Sequence, residues 1–143
     1  MRVLAVDPGK VRVGLALSDE SGRLATPHST IPASGKLAAT IAGIAADAGA
    51  GSVIVGLPRR LDGSEGPEAE AARRLAGEIA AAGDLTVELW DERFTTSMAE
   101  NALRIARPKR GRKVASSRRE ATDRVAAAVL LQSYLDRAAA SPK

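Results

Sequence analysis

A chain of 143 residues, 45% hydrophobic and 27% charged, has the length and balance of one globular unit and is too short for two domains of ordinary size. With no cysteine and a single histidine, His28, it has no disulfide, no thiolate nucleophile and no multi-histidine metal site, and its aromatic content of 2% rules out a stacking platform for bases. Net charge is +4, yet the seven cations Arg107, Lys109, Arg110, Arg112, Lys113, Arg118 and Arg119 lie together with no acid among them; the rest of the chain is left at −3, and the cluster points to a polyanionic partner.

No apolar run reaches the length of a membrane span, and the opening run Val3 to Val6 is too short for a signal-peptide core, so a cytoplasmic protein without membrane contact is expected. Val3 to Val6 is unbroken, as a central strand buried on both faces requires, and it ends at Asp7-Pro8-Gly9. A second strand is predicted over Arg12 to Ser18, and Asp19-Glu20-Ser21-Gly22 turns into a third over Arg23 to Thr26. His28, beside Pro27, falls in a loop without a role. Leu37, Ile41, Ile44, Ala45 and Ala48 recur at helical spacing until Gly49 and Gly51, and Val53 to Leu57 reads as another buried strand. A polar loop, Arg59 to Gly66, leads to Pro67 at a first helical position, with Asp62, Ser64 and Glu65 expected to cap the helix that Gly83 stops or to touch substrate backbone. Thr86 to Trp90 alternates like a strand and ends in Asp91-Glu92-Arg93. Ser97 with Glu100, and Ser117 with Glu120, fit capping boxes that predict helix starts near each, with a mobile basic loop over about 107–117 between them. Strand–helix–strand units require parallel pairing, whereas the first three strands join by short turns. The expected fold is a mixed five-stranded α/β sheet flanked by helices, one domain over residues 1–143.

Three sets of acids stand out against this frame. Asp7 follows a wholly apolar strand at its carboxyl end, where open α/β sheets place ligand sites, and Asp91 and Glu92 end another strand at the same edge. Asp123 falls in line with Ala127, Leu130 and Tyr134 on a helix face that should pack on the sheet. Each acid alone has an ordinary structural use, as a turn former, an arginine partner or a helix-start charge. Gathered in one cleft they repel one another unless cations neutralise them. With neither histidine nor thiolate ligands, an all-oxygen site suits Mg²⁺ or Mn²⁺, and such ions stabilise phosphodiester displacement.

Four ordered stretches carry a resemblance: Asp7-Pro8-Gly9-Lys10-Val11-Arg12-Val13-Gly14 running on to Asp19, Val55-Gly56-Leu57-Pro58 with Asp62-Gly63-Ser64-Glu65-Gly66, Asp91-Glu92-Arg93-Phe94-Thr95-Thr96, and Asp123 with Ala126-Ala127 and Leu131-Gln132-Ser133-Tyr134-Leu135. Together they resemble the YqgF/RuvX family over nearly the whole chain, departing at Phe94, where the family has an aliphatic residue, and at Asp7-Pro8-Gly9, which looks more like the related RuvC resolvases. The resemblance implies an RNase H-like fold with strand order 3-2-1-4-5. It also implies a metal-dependent nuclease acting on structured nucleic acid, either a 16S ribosomal RNA precursor or a four-way DNA junction, as a monomer or homodimer. Catalytic and metal-ligating acids are carried onto Asp7, the Asp91-Glu92 pair and Asp123.

Within the pair, strand parity places Asp91 with Val87 and Leu89 on the inward side. The implied topology favours the other residue: Glu92 lies two strands from Asp7, roughly 10 Å at about 4.8 Å per strand, a gap that the longer side chain spans better. Glu92 is therefore expected as the ligand and Asp91 as a partner orienting Arg93 or Lys10. Lys10, Arg12 and Arg93 are expected to meet phosphates, with Thr95 and Thr96 donating to phosphate at a helix start and Lys109, Arg110, Arg112 and Lys113 holding the sugar-phosphate backbone. Gly9 and Gly14 allow tight backbone at the mouth of the cleft. Two other classes compete: an actin-like ATPase or sugar kinase, which needs a second domain that this length does not supply, and a nucleic-acid-binding factor whose acids are structural.

Overall fold

In the computed structural model, which describes residues 1–95 and 115–140, the run Leu4-Ala5-Val6 is fully enclosed because helices cover both faces of the strand that holds it. That strand is β1 (Arg2–Asp7), followed by β2 (Arg12–Ser18), β3 (Ala25–Pro32), α1 (Leu37–Ala48), β4 (Ala50–Leu57), α2 (Pro67–Ala82), β5 (Thr86–Asp91), a 3₁₀ turn (Glu92–Thr95) and α3 (Ala115–Ala140). The sheet order is β3-β2-β1-β4-β5, with β1 antiparallel to β2, β2 antiparallel to β3, and β4 parallel to both β1 and β5. This is the mixed five-stranded sheet and the 3-2-1-4-5 order expected of the chain.

Strand alternation divides the core into two layers. Leu4, Val6, Val13, Leu15, Val53, Val55 and Leu57 pack with Ile41 of α1 and Ala72, Leu75 and Ile79 of α2. On the other face Ala5, Ala16 and Ile54 meet Ala127, Leu130, Leu131 and Leu135 of α3. Ala5 and Ala16 are small and Gly14 has no side chain, so the α3 backbone settles close to β1 and β2. Its far end is tied to the β2–β3 hairpin by Gln132, which accepts from the Ala25 N–H at 2.9 Å and donates to the Arg23 carbonyl at 2.8 Å.

Several boundaries differ from expectation. The third strand runs from Ala25 to Pro32 rather than from Arg23 to Thr26, and His28 is a strand residue rather than a loop residue. Arg23 and Leu24 instead give their N–H groups to the Asp19 carboxylate at 2.8 and 3.1 Å, extending the turn, while β3 tolerates Pro27 and Pro32 because it is an edge strand. The turn bonds, led by the Ser21 hydroxyl, hold Asp19 down at about 2. β4 begins at Ala50, so Gly51 lies within the strand, at the register shift between the Arg2–Ala50 and Val3–Ser52 pairs, and the helix stop falls to Gly49 alone, in the left-handed region at φ 75°. Helix α3 already contains Ala115 to Ser117, so the expected basic loop does not extend to residue 117. The helix expected near Ser97 lies outside the described residues, as do Thr96, Lys109, Arg110, Arg112 and Lys113.

Candidate active site

The sheet geometry brings the acids together through two glycines. Asp7 pairs in register with Gly14 of β2, and an added Cβ at Gly14 would overlap the carbonyl oxygen of Asp123 and come within 2.6 Å of its carbonyl carbon. Only a residue without a side chain lets the α3 backbone cross there, which sets Asp123 beside Asp7. On the other side of β1, Val6 pairs with Val55 and Gly56 pairs with Trp90, so Gly56 lies between Asp7 and the end of β5. The Glu92 side chain occupies the space above it: an added Cβ at Gly56 would overlap Oε2 and approach Cδ to 3.1 Å. Glu92 thus reaches over a side-chain-free position of β4 and shares a hydrogen bond with Asp7.

Burial, the Glu92 charge and hydrogen bond, and the Asp123 charge together push Asp7 from its ordinary 3.8 up to about 8. Burial also raises Glu92, with the Asp91 charge adding to it, while the bond from Asp7 pulls the other way. Two enclosed carboxyls thus keep a proton between them at neutral pH. Asp123 is close enough to raise Asp7, but its Oδ2 accepts from Arg12 Nε at 2.8 Å.

A proton retained in the fold and lost from the unfolded chain stabilises the native state fully below pH 3.8, and that contribution disappears as pH rises through about 8. In a chelator, the urea midpoint of the wild type should therefore fall between pH 5 and pH 9, and Asp7→Asn should flatten most of that fall. A midpoint that rises over this range in the wild type would contradict the shared proton.

Asp91 faces the other way. It accepts from the Arg93 N–H at 2.9 Å, from Arg93 Nε at 3.0 Å and from Nη2 at 2.7 Å, and Arg59 Nη1 stands 3.6 Å away. The Arg93 bonds lead in holding its carboxyl below the usual range. Arg59 also meets Glu65 at 3.2 Å, and Glu65 takes a two-pronged bond from Arg73 at 2.9 and 2.7 Å. The loop between β4 and α2 is thereby braced against both α2 and the end of β5. Its acids do not cap α2 as expected: Gly66 is the cap residue with no side-chain bond, and Asp62 closes a local turn by accepting from Ser64 N and Oγ at 2.9 and 2.7 Å.

Lys10 is exposed in the β1–β2 turn, and Thr95 closes the 3₁₀ turn. The expectation for Arg59 was only a loop position. Its role as counter-charge to Asp91 rests on a contact between residues 32 apart that no local pattern marks. Gly56 as a passage for Glu92 becomes legible only once strand order is known. As donors, the Asp7–Glu92 pair fits a hard divalent cation, since two oxygens that hold one proton between them would exchange it for the ion. Among the described residues no three such side chains already converge as a ligand set, because Asp123 is engaged by Arg12.

The sheet order β3-β2-β1-β4-β5 with helices on both faces defines a protein of RNase H-like fold. Two solved structures share the fold: RuvC of Thermus thermophilus in complex with Holliday junction substrate (TM-score 0.60, 18% identity, covering 100% of this chain and 99% of that one) and the Fowlpox virus resolvase with its junction DNA (TM-score 0.59, 11% identity, covering 96% and 99%). The chain itself belongs to the RuvX family, described as Holliday junction resolvase, whose profile matches residues 1–137. Among its relatives, a protein of Pelotomaculum thermopropionicum is 43% identical over 139 residues (95% of this chain, 87% of that one), and one of Anaeromyxobacter dehalogenans is 44% identical over 145 residues (97% and 99%). Both carry the name "Putative pre-16S rRNA nuclease".

Proposed function

We propose that this protein is a divalent-metal-dependent nuclease that hydrolyses phosphodiester bonds in a structured RNA, the precursor of 16S ribosomal RNA. The observation that carries this reading is the Asp7–Glu92 pair, joined across Gly56 in a chain whose relatives bear that nuclease name. Two carboxyls enclosed together at the carboxyl edge of a sheet favour a positive charge between them, held as a shared proton until a cation displaces it.

Asp7 and Glu92 would hold that cation, with Asp123 joining once it leaves Arg12, and the chemistry supplied there is neutralisation of charge building on the phosphodiester oxygens. A water oxygen forms the new bond to phosphorus as the bond to the leaving sugar oxygen breaks, the water giving one proton to solvent and the sugar oxygen taking one up. Lys10 and Arg12, at the mouth of the cleft, offset the phosphate charge, and Arg12 gives up its hold on Asp123 as it does so. Asp91, by fixing the Arg93 guanidinium, sets a further cation for the substrate backbone.

Lys109, Arg110, Arg112 and Lys113 hold the backbone without reading sequence. Replacing all four by Gln should lower the slope of log affinity against log salt by roughly 3 to 4, as expected if each neutralises one phosphate. A slope equal to that of the wild type would remove this segment from the binding surface.

The test of function is incubation of the purified protein with labelled rRNA precursor, single-stranded DNA and a four-way junction, each with Mg²⁺, Mn²⁺ or chelator. Metal-dependent cutting of the RNA is expected. Cutting of the junction alone would move the substrate to DNA, and folded protein that binds all three and cuts none would leave a binding factor.

A further inference from the structure

The carboxyl edge of the sheet holds a second concavity that the acids do not use. A cleft of about 370 Å³ opens between the β1–β2 turn, the end of β4 and the first turns of α2, lined by Pro8, Lys10, Pro58, Pro67, Glu68 and Ala71. That volume lies in the range of sites for small organic groups, roughly 300–1,000 Å³. Pro8 directly follows Asp7, and Pro58 lies two residues beyond Gly56. The cleft therefore flanks the strand ends that carry the Asp7–Glu92 pair, on the side of α2, while the pair itself lies on the side of α3.

Resting on the nuclease reading above, we infer that this cleft receives the base of an unpaired nucleotide next to the phosphate held at Asp7 and Glu92. The walls select the ligand. Three proline rings give rigid, flat apolar surface, and none of these residues has a backbone N–H to satisfy, so the cleft favours a planar, uncharged group. Its rim carries one cation, Lys10, and one anion, Glu68, both exposed. A free nucleotide would bring its full phosphate charge to a rim of no net charge, whereas a base within a strand leaves the phosphates at the acid site and its cations. Glu68 also lies in the first turn of α2, where it complements the positive end of the helix, so that end is not open to an anion. A base held in a duplex is stacked on both faces and cannot enter. The cleft thus selects for single-stranded positions, and because every base has a π-face it does so without regard to sequence.

Ala71 gives the test its handle: it is exposed on α2, and leucine is a good helix former, so Ala71→Leu fills the cleft without touching the acids or the core. The substrate is a stem with a single-stranded extension, made as RNA and as DNA, in which an abasic residue is moved through the extension one position at a time. Affinity is measured by anisotropy in chelator, so that the strand stays intact, and thermal unfolding confirms that the variant is folded. For the wild type, one position should stand out, its abasic form binding about ten-fold more weakly than the intact strand. Ala71→Leu should bind the intact strand about ten-fold more weakly and be indifferent to the abasic residue at that position. A wild type indifferent to every position, or an Ala71→Leu that stays as sensitive as the wild type, would overturn the inference while leaving the nuclease reading intact. Failure of the wild type to bind either nucleic acid would overturn both.

Discussion

Asp7→Asn is expected to lower metal-dependent cleavage by roughly three orders of magnitude while the protein stays folded and holds nucleic acid at least as tightly as the wild type. Asp7 is the carboxyl on which the geometry converges: it shares a hydrogen bond with Glu92, feels Asp123 and sits in register with Gly14. Asparagine keeps the shape and can donate to Glu92, so the packing of β1 is undisturbed. It cannot supply the negative oxygen that a cation needs, and it removes a charge that repels phosphate. The measurement pairs single-turnover cleavage with binding in chelator. Loss of binding together with cleavage would assign Asp7 to substrate affinity, and unchanged cleavage by a folded variant would sink the active-site assignment.

How much of this was legible in the sequence depends on how local the cause is. β2 and α1 have the predicted ends because an apolar pattern and a left-handed glycine mark them within the segment itself. β3 does not, since Ala25 to Pro32 is polar and proline-containing; it is a strand because β2 offers it a register from Arg12 to Ser18 and Gln132 of α3 anchors its start. The acids were visible for a similar reason, as charges placed where apolar strands end. The division between Asp91 and Glu92 was half visible: strand parity alone favoured Asp91, and only the implied strand order turned the expectation to Glu92, with Asp91 on Arg93. Glu65 looked like a helix cap because the nearest helix begins at Pro67, yet Arg73, eight residues on, offers a two-pronged charged bond that outweighs one to backbone N–H groups. Gly14 and Gly56 illustrate the same limit: within their strands they look like weak points, and only the approach of Asp123 and Glu92 from distant elements explains them.

Glu92→Gln is expected to lose nearly all turnover, and Asp91→Asn to lose much less, although the two residues are adjacent. Val87, Leu89 and Asp91 share one parity along β5, and the first two pack into the layer of α1 and α2, which turns Asp91 away from Asp7 and onto Arg93 and Arg59. Trp90 shares the parity of Glu92 and packs beneath α3 against Tyr134, with ring centres 5.4 Å apart and perpendicular planes. Glu92 thus enters the α3 side of the sheet, the side of Asp7 and Asp123. Removing its charge takes away one of the two oxygen donors joined at Asp7, so Glu92→Gln should also abolish the rise in melting temperature that Mn²⁺ gives the wild type. Asp91→Asn keeps that thermal response, because the amide oxygen still accepts from Arg93. It loosens the guanidinium, so the loss should fall on KM for the nucleic acid more than on kcat, by about ten-fold for one weakened charged contact. Neither variant disturbs the core, since neither side chain belongs to the two apolar layers. The reverse ranking, with Asp91→Asn losing turnover and the Mn²⁺ response while Glu92→Gln retains both, would place the ligand on the α2 side of the sheet and refute the site as drawn.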